Sequence, residues 1–445
     1  MTVVGQPQVV YTYENANRLT QVQQGTNTVT IGYDDADRRT SVTYPNTNKI
    51  EYLYNVASEL TTVTYKQGTT TLGTLTYTYG AAGNRIKTGG TFARSNIPPA
   101  LATASYNANN QQTAFGTTTE TYDLNGNLAT TTDAGVTTTY TWNARNQLTG
   151  ISKTGFTASF TYDSFGRRSG KTINGTTTNF VYDGLNPVQE KSGATVSANL
   201  LTGLGIDEFF TRTDGVGVRS LLPDALGSTV ALGDNTGTLQ TQYTYEPFGS
   251  VSQTGAASTS NYKYTGREDD GTGLMYYRAR YYQPRLQRFI SEDPLKFRGR
   301  DMNLYAYVRN MPSALIDPLG LRPLTAREKQ CLNPYIPQVD LDAADLHEDE
   351  VPWYLLPGYA GITLGNDIYL RPGIYDGATA NGIALLGHEL YHVGQYRKGT
   401  TQLDFLIQGL LHGHDDSPLE KPAIALEEII RTDLRRRGNP NCECQ

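Results

Sequence analysis

His388-Glu389-Leu390-Tyr391-His392 places two imidazoles four residues apart with a carboxylate between them. On a helix, positions i and i+4 share a face. Both rings can therefore reach one Zn2+, with Glu389 beside it as the base that takes a proton from water. Leu385, Leu386, Leu390 and Val393 distribute apolar contacts around the same segment, so this helix should be buried. Buried imidazoles next to a carboxylate need a reason, and a metal supplies one.

A hydrolytic zinc site takes three protein ligands and keeps one position open, so a third ligand must come from downstream. There, Ser417-Pro418-Leu419-Glu420-Lys421-Pro422-Ala423 leads into an amphipathic stretch reaching about Arg437. This layout, H-E-L-x-H-V-x-Q-Y followed by a short E-x-x-A helix, is similar to gluzincin-type peptidase domains, including those attached to bacterial contractile-injection and polymorphic toxins. The resemblance covers Leu324–Arg437 and implies that the glutamate before the alanine, Glu420, binds the metal. Ser417-x-x-Glu420 also spells a capping box, in which the carboxylate would only satisfy a helix-end N–H. Pro422 sits badly inside a first turn, so the helix is expected to start there and leave Glu420 just outside. Glu427 is the reserve ligand, followed by His412 or His414, whose surroundings otherwise read as a polar loop. His347 stands in an acidic run and is expected at the surface. Ala360–Leu370 alternates like a strand with a Gly-Asn-Asp turn inside it. In zincins such an edge strand lies over the active-site helix, where a substrate backbone can add to it. Tyr391, Tyr396 and the histidine loop are equal candidates for the oxyanion donor.

Composition divides the chain near residue 321. Residues 322–445 hold all five histidines and all three cysteines (331, 442 and 444), with 11 basic and 18 acidic side chains. Residues 1–321 are nearly neutral and dense in Thr, Tyr, Gly and Asn. An acidic tail disfavours a phosphate-tracking nuclease, because nucleic-acid binding needs a basic footprint. No apolar run approaches the length of a membrane span, and no signal peptide is visible. The chain opens at once in repeat-like sequence, as expected of the C-terminal part of a longer protein. Cys331 with Cys442 or Cys444 would tie the ends of the tail together; free thiols are the alternative.

The body repeats. Tyr13, Tyr33, Tyr54, Tyr79, Tyr106, Tyr122, Trp142, Tyr162 and Tyr182 each open an aromatic-polar-x-x-x-polar-x-apolar unit, and the last four steps are 16, 20, 20 and 20 residues. Each unit predicts a β-hairpin that cannot bury its own face, and stacking gives a spiralling sheet with aromatic rungs. These units resemble the YD repeats of RHS and teneurin-type proteins. Pro223-Asp224-Ala225-Leu226-Gly227-Ser228, Tyr264-Thr265-Gly266-Arg267-Glu268, Tyr276-Tyr277-Arg278-Ala279-Arg280-Tyr281-Tyr282 and Ile316-Asp317-Pro318-Leu319-Gly320-Leu321 resemble the RHS core.

That resemblance implies self-cleavage after the D-P-x-G-L ending, here after Leu321, by two aspartates acting as a shared-proton pair. Asp293 and Asp317 match the motifs. Asp269-Asp270 stands where some relatives carry Arg-Asp, which puts a helper role there in doubt. Asp-Pro at both catalytic positions would also serve simply as a turn.

The expected organisation is a YD-repeat β-spiral over 1–200 and an RHS core over 201–321, both mainly β. An α+β zincin-like domain follows over 322–445. The expected function is a toxin, secreted or delivered into a target cell, whose freed zinc endopeptidase cleaves a protein there. A secretion apparatus (type VI, Tc-like or other) and a cognate immunity protein are the implied partners, with no nucleic acid and no membrane span. The alternative is a non-enzymatic adhesive or structural repeat protein with a metal-stabilised or inactive tail.

Overall fold

A computed structural model describes the chain except residues 82, 101–102, 297–300, 319, 321–330, 338–339, 342–343, 349–359, 372–373, 377–378, 402–403, 406–407, 409–415 and 437–445. The side chains of residues 345, 347, 348 and 367 are likewise outside the described set. Two compact units emerge. One comprises Met1–Asp293 with Asp301–Gly320, the other Pro294–Arg300 with Leu321–Gln445.

The first unit is mainly β. Eight strands from Val9–Tyr13 to Arg85–Gly89, then sixteen from Ala104–Tyr106 to Val251–Gly255, pair antiparallel in strict sequence order. The repeat explains why. In six of the nine units (at Asp34, Asn55, Asn107, Asp123, Asn143 and Asp163) an Asp or Asn accepts two backbone N–H groups with one oxygen, as Asp163 does from Phe165 and Arg167, both at 2.9 Å. That fixes a tight turn. The aromatic just before it sits at a shift in strand register, as at Tyr122, Trp142, Tyr162 and Tyr182. Its polar tip reaches back one hairpin to a backbone carbonyl: Trp142 Nε1 to Leu128 (2.8 Å), Tyr162 to Leu148 (2.7 Å) and Tyr182 to Arg168 (2.9 Å). The rings are pegs between hairpins.

The alternate faces bury Val22, Val29, Ile50, Val63 and Tyr65, with Leu201, Phe210 and Leu222 from the longer sheet in the same core. Tyr44 and Tyr65 donate to the carbonyls of Leu221 (2.9 Å) and Pro223 (2.8 Å), joining the two sheets. A four-stranded sheet, Glu268–Asp269, Met275–Tyr277, Arg280–Gln283 and Arg288–Phe289, completes the unit. Arg168, from the repeats, lies fully buried between Asp270 and Glu268 of this sheet, and Lys171 Nζ is 2.8 Å from Asp270. Burial raises the Asp270 pKa, yet Arg168 and Lys171 hold it below its ordinary value. The guanidinium missing beside Asp270 in sequence is thus supplied by Arg168, from a strand about a hundred residues earlier.

The second unit holds a three-stranded sheet and two long helices among the described residues. Asp345–Glu348 runs parallel to Asp367–Leu370, which forms a hairpin with Gly361–Leu364. Gly361–Leu364 is an edge strand of this sheet, with Asp367–Leu370 its one neighbour among the described strands. Helix α1 spans Ala380–Arg397, capped by Thr379, whose side chain accepts from Gly382 N. Helix α2 spans Lys421–Arg436. At Gly387 a Cβ would fall 2.3 Å from Ile430 Cδ1, so glycine there lets α2 close on α1 one residue before His388. Cys331 is buried and disulfide-bonded; Cys442 and Cys444 lie outside the described residues. No described helix is long and apolar enough to cross a membrane.

Candidate metal centre

Helix α1 carries His388 and His392 on one face, and the turn before α2 delivers Glu420 to them. His388 Nε2 and His392 Nε2 are 3.2 Å apart. Glu420 Oε2 is 3.1 Å from the second and 3.4 Å from the first. Four ligands at zinc's bond lengths in a tetrahedron stand about 3.3 Å from one another. The triangle therefore matches one face of such a tetrahedron in donor type and in edge length. All three residues are buried.

Glu420 is the residue before α2, and its carbonyl accepts from Ile424 N (2.9 Å). The helix thus begins at Lys421, with Pro422 inside its first turn, contrary to the expected start at Pro422. A first-turn N–H has no intrahelical acceptor, so the proline loses nothing there. Ser417 Oγ accepts from Leu419 N (3.2 Å), while the Glu420 carboxylate faces the histidines.

The other ring nitrogens have polar neighbours too. His392 Nδ1 lies 2.8 Å from Gln395 Oε1. His388 Nδ1 lies 3.2 Å from Glu427 Oε2, an oblique approach at ion-pair distance without hydrogen-bond alignment. Glu427, the reserve ligand, therefore stands on the opposite side of the His388 ring from Glu420 and is itself paired with Arg431. Burial lowers the His388 pKa, but Glu420 and Glu427 overcome it and push it up to about 10. His388 in turn, with Arg431, holds Glu427 below the usual carboxylate value. These groups favour positive charge at their centre.

Glu389 points to the sheet. Thr363 Oγ1, on the edge strand, donates to its Oε2 at 2.7 Å, and Gly361 leaves room for its other oxygen, since a Cβ there would sit 2.9 Å from Oε1. Glu389 is thus 4% exposed and held beside the Gly361–Leu364 edge strand. An open groove of about 490 Å³, lined by Ala360, Ile374, Leu385, Glu427 and Arg435 among others, adjoins the same helices. His412 and His414, and the side chain of His347, lie outside the described residues. Tyr396 stacks on Phe405, whose ring also meets His392 edge-on.

The aspartates of the first unit converge as well. Arg280 Nη2 is 3.0 Å from Asp293 and 3.4 Å from Asp317, and its Nε donates to the Gly320 carbonyl at 2.6 Å. Gly320 has φ +70° and lies so close to the core that a Cβ would meet Tyr277 O at 2.5 Å. The two carboxylates therefore share a guanidinium, which the shared-proton expectation did not include. Leu321 lies outside the described residues. Sequence reasoning also missed Thr363 and Gln395; only the latter had a local signal, being three residues, about one turn, beyond His392.

Stacked hairpins pegged by tyrosine and turned by aspartate, closed by a tyrosine- and arginine-rich core, define a YD-repeat shell protein. The Teneurin YD-shell profile matches residues 45–313, and the chain belongs to that family. A second profile, described as the eCIS core domain, matches residues 338–400, which include the histidine motif. Among curated relatives, toxin subunit YenC1 of Yersinia entomophaga is 40% identical over 111 residues, 24% of this chain and 11% of YenC1. The tRNA nuclease WapA of Bacillus subtilis is 38% identical over 104 residues, 22% of this chain and 4% of WapA. Toxin protein Tse5 of Pseudomonas aeruginosa is 35% identical over 99 residues, 22% of this chain and 7% of Tse5. The chain thus spans a small fraction of these relatives. The crystal structure of TcdB2-TccC3-Cdc42 superposes with a TM-score of 0.53 at 20% identity, covering 70% of this chain and 20% of that one. The likeness is one of fold.

Proposed function

We propose that this chain is part of a delivered toxin, a YD shell followed by a unit that is a zinc endopeptidase acting on a protein of the target cell. The observation that carries this is the buried His388–His392–Glu420 triangle, with the neighbouring Glu389 bound to Thr363 of an edge strand. A zinc ion in that triangle would polarise a scissile carbonyl and acidify water. Glu389 takes the proton of the attacking water and passes it to the leaving amine. A substrate backbone adds antiparallel to Gly361–Leu364, whose outer edge is unpaired by any described strand. Toxin relatives and a Tc holotoxin pore of like fold are in keeping with delivery into a target cell by a secretion apparatus, and the proposal includes a cognate immunity protein in the producing cell.

In the shell, Asp293 and Asp317 activate water against the peptide bond after Leu321. Arg280 holds the strand just before that bond by the Gly320 carbonyl.

Relatives that act on nucleic acid, a tRNA nuclease and a double-stranded DNA deaminase, make the substrate class the point to test. Purified protein is offered a proteome-derived peptide library, tRNA and duplex DNA. The peptidase assignment expects peptide cleavage that falls about 10³-fold in Glu389→Gln, with zinc retained. Turnover of a nucleic acid without peptide cleavage would overturn it. In the same preparations, Asp317→Asn should abolish the cut after Leu321, read by intact mass.

A further inference from the structure

We infer that Gln395 is the positioning residue of the metal centre, fixing through one amide the tautomer of His392 and the place of Glu420. This rests on the zinc assignment above.

Gln395 Oε1 lies 2.8 Å from His392 Nδ1, and its Nε2 donates to the carbonyl of Leu419 at 2.9 Å. The Leu419 carbonyl can only accept. It therefore fixes which end of the amide faces it: the NH2 group must point to Leu419 and the oxygen to the imidazole. An amide oxygen can only accept in turn, so His392 must carry its proton on Nδ1. Its Nε2 then presents a lone pair toward His388 Nε2 (3.2 Å) and Glu420 Oε2 (3.1 Å). Leu419 is the residue directly before Glu420. The same side chain thus ties α1 to the turn that delivers the third ligand, and one amide sets two of the three donors.

The spacing is what a helix requires. His392 and Gln395 are one turn apart, close enough for ring and amide to meet on the surface of α1. Phe405 packs edge-on against the His392 ring, 5.2 Å between centroids, and limits its rotation from another side. His388 is served differently: its Nδ1 faces the Glu427 carboxylate, which Arg431 holds. The two imidazoles are oriented by unlike groups, a neutral amide and a carboxylate. Outer partners of metal-binding histidines typically contribute 10–100-fold to affinity.

The test is zinc affinity, by competition against a chromogenic chelator, for the wild-type chain, Gln395→Ala, Gln395→Glu and Glu427→Gln. Cobalt(II) absorption serves as a second readout of donor geometry, and thermal unfolding controls for fold. The expected result is roughly 10–100-fold weaker zinc binding in Gln395→Ala with an altered cobalt spectrum. Gln395→Glu keeps the acceptor for His392 but sets a carboxylate against the Leu419 carbonyl, so it should recover only part of the loss. Equal zinc affinity and an unchanged cobalt spectrum in a folded Gln395→Ala would overturn the inference while leaving the zinc assignment intact. Failure of the wild-type chain to bind zinc would instead remove the assignment beneath it. If Gln395→Ala does not fold, Gln395→Glu decides alone, and affinity equal to wild type in that variant counts against a role for the Leu419 contact.

Discussion

The two units solve the burial of polar groups in opposite ways. In the repeats of the shell, polar groups are satisfied hairpin by hairpin: a tyrosine hydroxyl on a carbonyl, an aspartate on two N–H groups. In the C-terminal unit, His388, Glu389, His392, Glu420 and Glu427 are gathered at one place, and His388, His392 and Glu420 are the one group among the described residues placed to hold a metal ion. A periodic solution spreads the cost of desolvation over many weak, local contacts. A point solution concentrates it, and concentrated buried charge is what sites for ions and chemistry are made of.

The sharpest way to probe the contrast is to disrupt a place where the shell, like the tail, gathers buried charge. Arg168→Met leaves Glu268 and Asp270 buried with only Lys171 beside them. It should destabilise the shell by about 3–5 kcal/mol in denaturant unfolding and leave zinc content unchanged. A loss below 1 kcal/mol would mean that Lys171 alone suffices, making the cluster as redundant as the repeats around it.

Next in size is Glu120, 5% exposed, whose Oε1 has no hydrogen-bond partner. Burial raises its pKa to about 7 against the lowering contact from Tyr122. The folded state therefore holds this proton above the pH at which the unfolded chain releases it. The sign is clear: stability falls as pH rises from about 4.5 to 7 and stays lower above that. Glu120→Gln should raise shell stability at pH 8 by up to about 3 kcal/mol and change little at pH 4. No difference between the two pH values would mean that this carboxyl is hydrated in solution. The smallest effect belongs to a single peg. Tyr162→Phe removes one hydroxyl–carbonyl bond, and urea unfolding should register about 1 kcal/mol.

How far each unit was legible in sequence follows from the same contrast. A period can be read by eye, so Tyr122, Trp142, Tyr162 and Tyr182 announced the hairpins, and Asn-Gly and Asp-containing steps their turns. Arg168 could not be read, because its partner Asp270 lies about a hundred residues away and only the folded chain brings them together. His388 and His392 were legible since helical spacing alone aligns them. Glu420 and Glu427 are seven residues apart, two turns, and sequence cannot say which nitrogen of His388 each will meet. The fold assigns them to opposite sides of the ring. Thr363 reaches Glu389 only through the packing of a strand on a helix, which no local pattern encodes. Arg280 likewise sits in a tyrosine-rich core segment, and nothing nearby tells that it will meet Asp293, Asp317 and Gly320 at once.

The central claim is that the buried histidine–glutamate triangle holds a metal. Bound zinc is quantified by mass spectrometry in chelator-free wild-type protein and in His388→Ala. One zinc per chain in the wild type, lost in the variant, is the predicted result. A folded wild-type chain without zinc, or zinc that persists in His388→Ala, would contradict it.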